Sequence, residues 1–96
     1  MKDLDDIRAQ NPDQGFQFPG LFEITAMGNA TGDLERRVPS LLAGIGLAVM
    51  EGSMRTRSTQ RGNYVSVTVS FTCPTREKYD EAHVVLRADA EIYSTL

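Results

Sequence analysis

Nucleophilic or redox chemistry would fall to Cys73, the only thiol in this 96-residue chain. A reactive thiolate needs its pKa lowered by a neighbouring cation, a paired histidine or a helix N-terminus. Pro74 follows Cys73 directly, and the lone His83 stands in no recognisable relation to it. Cys73 therefore reads as a small, partly buried side chain at a strand end. A metal centred on His83 would need further His, Cys or carboxylate ligands converging on it, and the spacing supplies none. No metal and no cofactor is expected. Asp33, Glu35, Glu77, Asp80, Glu81, Asp89 and Glu91 are scattered near helix ends and exposed faces. Paired acid–base catalysis wants two carboxyl groups in contrasting environments. No phosphate-binding loop, nucleophile elbow or dinucleotide fingerprint occurs. These residues support no enzymatic activity.

Two stretches could bind rather than react. Gly28-Asn29-Ala30-Thr31-Gly32-Asp33 joins a strand to a helix, where unpaired N–H groups and the helix dipole favour an anion or carboxylate. Gly28, Asn29, Thr31, Gly32 and Asp33 are the candidate ligand turn, although Asp33 would itself compete as the cap. Arg55, Arg57 and Arg61 form the one local basic patch, on a hairpin that also carries Ser58, Gly62, Asn63, Tyr64 and Ser66. An RNA-recognition signature would want aromatic residues after Arg61-Gly62, at places filled by Asn63, Val65 and Thr68. Without those stacking platforms, single-stranded RNA loses its main energy term. Nucleic acid is not the expected partner. A protein or a small metabolite is.

The elements that must position these residues follow from periodicity. From Tyr64 to Thr72, Val65, Val67, Val69 and Phe71 alternate with Tyr64, Ser66, Thr68, Ser70 and Thr72. Period-two spacing with β-branched residues predicts a strand with one buried and one polar face. A turn over Arg61-Gly62-Asn63 joins it to a preceding strand from Met54. Phe22, Ile24 and Ala26 predict a first strand that tolerates Pro19 at its start, with flanking phenylalanines over one end of the core. Leu34, Val38, Leu41, Leu42 and Ile45 predict one apolar helical stripe, capped by Asp33 or Thr31. Pro39 should kink or delay this helix, and Gly44 and Gly46, if helical, should weaken its far end. Cys73-Pro74 ends the long strand, Thr75 caps a second helix, and Tyr79, Ala82, His83 and Leu86 share its inner face. Ile92 to Leu96 is a short last strand.

The order βαββαβ predicts an α+β, ferredoxin-like sandwich: a four-stranded antiparallel sheet with both helices on one face. Residues 1–15, rich in Asp, Asn and Gln, are expected as a flexible tail and 16–96 as a single domain. At 41% hydrophobic and 24% charged the composition is that of a globular domain. A net charge of −3 gives no global pull toward nucleic acid or anionic membrane. The acidic N-terminus lacks the apolar stretch of a signal peptide, the run Leu41–Met50 is too short to span a bilayer, and one cysteine suits a reducing compartment. A cytoplasmic setting is expected.

At the hairpin, Ser58, Arg61-Gly62-Asn63-Tyr64 and Ser66-Val67 resemble the YbeD-like family of small uncharacterised bacterial proteins. Phe18-Pro19, Phe22 and Met27-Gly28 upstream, with Leu86 and the strand from Glu91 downstream, fall where that family carries matching positions. The resemblance covers roughly Phe16 to Leu96. It implies a ferredoxin-like fold similar to small-molecule-sensing ACT domains, and no known activity. The chain departs from the pattern in its extended N-terminus, Pro39, Gly44 and Gly46. Two roles are expected. One is a non-enzymatic regulatory or protein-interaction domain working through the open sheet and the hairpin. The other is a sensor of a carboxylate or anionic metabolite at the Gly28–Asp33 turn, in an ACT-like dimer. A second copy could also meet the hydroxyl-lined sheet, since two-fold dimers are the commonest oligomers.

Overall fold

The computed structural model describes residues 17–96. The tail expected over residues 1–15, and Phe16, lie outside them. Six elements follow in chain order: β1 (Gly20–Asn29), α1 (Leu34–Ala43), β2 (Arg55–Ser58), β3 (Tyr64–Cys73), α2 (Arg76–Arg87) and β4 (Ile92–Thr95). The four strands form one sheet in the order β2-β3-β1-β4, and every neighbouring pair is antiparallel. This is the split βαβ arrangement that the element order predicts.

Alternation decides the faces. Ile24 and Ala26 of β1 and Val67, Val69 and Phe71 of β3 are fully buried, and Val65 is half-buried at the strand's start. Both helices cover this side. From α1 come Leu34, Val38 and Leu42, and from α2 come Ala82 and Leu86, with Leu41, Ile45, Tyr79 and Val85 packed around them. Burying each large aliphatic or aromatic side chain contributes about 1.5–3 kcal/mol, so the fully buried set provides most of the driving force. Phe18 stacks on Phe22 at 4.8 Å and both lean on Tyr79, closing one end of the core.

The first helix departs from expectation at Pro39 and at both of its ends. It runs unbroken from Leu34 to Ala43 with Pro39 inside it. The hydrogen bond that Pro39 cannot make would have ended on the carbonyl of Glu35, an exposed residue, where water can serve it. Gly44 and Gly46 do not weaken the helix, because they follow its last residue; Gly44 is the C-cap and donates to the Ser40 carbonyl at 3.1 Å. Asp33 occupies the N-cap position, but its side chain caps nothing. Its backbone is left-handed (φ 57°, ψ 44°), and its carboxylate instead pairs with Arg36 at 3.1 Å. The second helix follows expectation: the Thr75 hydroxyl accepts from the Lys78 N–H at 3.1 Å, and Glu77 lies in the first turn.

The connection after α1 also builds structure. Leu47 is buried, Val49 bridges Phe71, and the Met50 N–H donates to the Ser70 carbonyl at 2.8 Å. This segment covers the edge of β3 that the four-residue β2 does not reach.

Candidate functional site

The helices leave the other side of the sheet open, and the strand registers lay out what it presents. One row crosses all four strands: Arg57, Ser66, Met27 and Ser94. The next holds Arg55, Thr68 and Thr25 and is completed by Leu96, whose N–H donates to the Thr25 carbonyl at 2.8 Å while Thr25 donates back at 3.0 Å. The Thr25 and Thr68 hydroxyls hydrogen-bond across the strands at 2.7 Å. Arg55 reaches over β3 and donates to both oxygens of Glu23, at 3.1 and 3.4 Å; the carboxylate raises the guanidinium pKa further. An exposed pair of this kind orients a side chain more than it stabilises a fold.

Beside the first row, Tyr64 and Tyr93 meet edge to face with ring centroids 6.0 Å apart. They stay 50% and 58% exposed, respectively, despite that contact. Their meeting depends on a β-bulge. Ser94 pairs with Met27 and Ile92 with Gly28, so one β4 residue is left over between them. That residue is Tyr93. The bulge keeps Ile92 in the core and turns Tyr93 out beside Tyr64, the kind of re-aiming for which bulges serve. The two rings, with Met27, Val65 and Arg57, line a largely apolar concavity of about 480 Å³. A second, polar hollow of about 450 Å³ adjoins it, lined by Arg55, Thr56, Arg57, Ser66 and Thr68.

Of the candidate hairpin residues, the fold brings Arg57, Ser58, Tyr64 and Ser66 to the apolar concavity and Arg55 to its polar neighbour. Arg61, Gly62 and Asn63 are exposed in the turn. Gly62 has φ 77° there, a conformation glycine adopts at no steric cost. Its N–H donates to the Thr59 carbonyl at 2.9 Å, and the Thr59 hydroxyl accepts from the Tyr64 N–H at 3.2 Å. Periodicity missed Met27, Tyr93 and Ser94. The one sequence signal for Tyr93 is its position next to a core isoleucine.

The Gly28–Asp33 turn is held from within the chain. The Asn29 side chain donates to a Glu91 carboxylate oxygen at 3.3 Å, Gly32 donates to the Asn29 carbonyl at 3.0 Å, and Ala30 donates to the Asn63 carbonyl at 2.9 Å. Gly28 lies so close to the Glu91 carbonyl that a Cβ would collide with it, and a Cβ on Gly32 would sit 2.9 Å from the Glu91 side chain. Thr31 is exposed. A hollow of about 470 Å³ lies beside Asp33, with Arg36, Arg37 and Asp89 on its walls. Arg37 is paired with Asp89 at 3.3 Å and donates to the Gly32 carbonyl at 3.0 Å. Both arginines of this hollow therefore already have anionic partners.

Cys73 is fully buried, and its thiol donates to the Thr75 carbonyl at 3.3 Å. Burial pushes the thiol pKa up, against smaller opposing effects of the Thr75 backbone and of Lys78, which is the reverse of thiolate activation. His83 Nδ1 sits 2.8 Å from the Thr95 hydroxyl. Burial, and then the Arg87 charge, push its pKa down. Among the described residues no three His, Cys or carboxylate side chains converge as a metal would require, and no helix is long and apolar enough to cross a membrane.

Sheet order and helix placement define the class: a ferredoxin-like α+β domain of ACT-like form. Among solved structures, it is similar to protein HP0495 from H. pylori (TM-score 0.69, 15% identity, covering 84% of this chain and 85% of that one). It is also similar to the ACT domain from the GTP pyrophosphokinase of Chlorobium tepidum (TM-score 0.63, 8% identity, covering 79% and 94%). At these identities the likeness concerns fold alone.

The particular family comes from sequence. Residues 13–96 match the model described as "Protein of unknown function (DUF493)", and the chain belongs to this family, the YbeD-like group that the hairpin residues resemble. A UPF0250 protein of Xanthomonas campestris pv. campestris (strain 8004) is 46% identical over 91 residues, covering 95% of this chain and 99% of the relative. One from Stenotrophomonas maltophilia (strain K279a) is 44% identical with the same coverage.

Proposed function

We propose that the domain is a non-enzymatic regulatory module that recognises a protein partner through its open sheet face and the Arg55–Ser66 hairpin. The carrying observation is the exposed Tyr64–Tyr93 pair at the rim of an apolar concavity. Aromatic side chains that keep half their surface in water beside an apolar hollow have the composition of interface anchors. Leu96 is exposed on the same face, one row from Met27 and Ser94, which adds apolar surface at that end of the sheet. Affinity capture from lysate with tagged wild type and Tyr64→Ala tests this. Tyr64 is outside the core, so the variant keeps its fold. A reproducible partner that the variant fails to retain supports the reading, and retention by both removes the hairpin from it.

A second reading, a sensor of a small anionic metabolite, has the hollow beside Asp33 at the start of α1 in its favour. It is the weaker of the two because Asp33, Asp89 and Glu91 already place carboxylates around that helix end. Thermal shift against amino acids and nucleotides checks it: a true ligand stabilises as RT ln(1 + [L]/Kd), and a flat panel sets the reading aside.

A further inference from the structure

We infer that the open face takes an extended, acidic polypeptide segment, seating a bulky apolar side chain against Tyr64 and Tyr93 and a carboxylate on Arg57. The inference rests on the protein-partner reading and adds the partner's chemistry. The two hollows of the face are adjacent and share Arg57 and Ser66 as a common wall. One is apolar and the other cationic. Along β3 they step from Ser66 to Thr68, two residues and roughly 6.6 Å in an extended chain. A partner segment in extended form carries same-side residues at that spacing, so an apolar residue and an acidic one in alternate positions fit the pair of hollows.

The charge state of the arginines decides the sign. Arg55 is already neutralised by Glu23, whereas no described carboxylate pairs with Arg57 or Arg61. The face therefore offers uncompensated positive charge on a chain whose net charge is −3. Its attraction is local, acting within a Debye length of about 8 Å at physiological salt.

Selection of a random-peptide library on the immobilised full chain tests this, followed by fluorescence anisotropy with the enriched peptides. The expected peptides carry Asp or Glu two positions from Phe, Leu, Ile, Met or Tyr. Replacing their acid by its amide weakens binding roughly five- to tenfold, and so does Arg57→Glu on the protein, whose fold is checked by circular dichroism. A lysine version of the peptide should regain binding to Arg57→Glu. Peptides that need Tyr64 yet ignore the charge at position 57 overturn this inference and leave the protein-partner reading standing. An enriched set indifferent to both Tyr64→Ala and Arg57→Glu overturns both. Failure to enrich any peptide overturns the inference alone, since lysate capture still decides the broader reading. Two further results would also overturn it. One is a wild-type dimer in sedimentation that Tyr93→Arg dissociates; the other is displacement of the peptides by a single-stranded RNA decamer.

Discussion

His83 shows how one side chain can make this fold respond to acid. Its ring packs edge to face on Tyr79 at 5.1 Å and touches the Thr95 hydroxyl. Burial first, and the Arg87 charge second, hold its pKa below the ordinary 6.5, with Asp80 opposing. The folded state therefore binds a proton less readily than the unfolded chain. Between the lowered folded pKa and 6.5 the unfolded state holds more protons, so stability rises with pH across that window and is lost on acidification. Thermal midpoints of wild type and His83→Gln, measured from pH 7.5 to 5, should diverge: the wild type loses more than the variant. Parallel curves would remove His83 as the cause.

The two helices start by different means, and their first residues should answer substitution differently. Thr75 has extended backbone and a side-chain bond to the Lys78 N–H, so Thr75→Ala should cost about 1 kcal/mol. Asp33 makes no such bond and holds a left-handed backbone that L side chains adopt with strain. Asp33→Gly removes that strain at the cost of an exposed ion pair to Arg36, and should leave stability unchanged or raise it by up to about 1 kcal/mol. Urea denaturation of the two variants reads both signs. A loss of equal size at both positions would contradict the difference in capping. Sequence narrowed the first cap to Asp33 or Thr31 and placed the second at Thr75, because Asp and Thr are favoured just before an apolar periodic run. It could not make the αL geometry of Asp33 legible, since an aspartate in that position ordinarily takes the extended backbone of a side-chain cap.

For the molecule as a whole, the two faces of the sheet should differ sharply in tolerance. Phe71 is fully buried between sheet and helices, and Phe71→Ala should cost about 3–5 kcal/mol. Domains of this class hold roughly 5–15 kcal/mol in total, so the variant should melt far lower or fail to fold. Thr72, the next residue along, points to the open face, and Thr72→Ser should change stability by less than about 0.5 kcal/mol. Thermal unfolding of the pair measures the contrast, and similar losses at both positions would contradict the facing of β3. The same one-sided burial keeps Tyr64, Tyr93 and Arg57 exposed and out of the core.

Local order was enough for much of this. Alternation from Tyr64 to Thr72 and the stripe Leu34–Val38–Leu42 specify element types and their buried sides, because each depends on residues a few positions apart, and the resulting order βαββαβ restricts the topology to the ferredoxin-like one. The hairpin residues also carry the family resemblance. The concavity is different. It joins Met27, Tyr64 and Tyr93 from three strands, and it exists only because antiparallel registers align those strands and a single extra residue in β4 turns Tyr93 outward. Pairing between distant segments, and where a ladder slips by one residue, is settled by the packing of the whole sheet against its helices. No pattern within one segment records it.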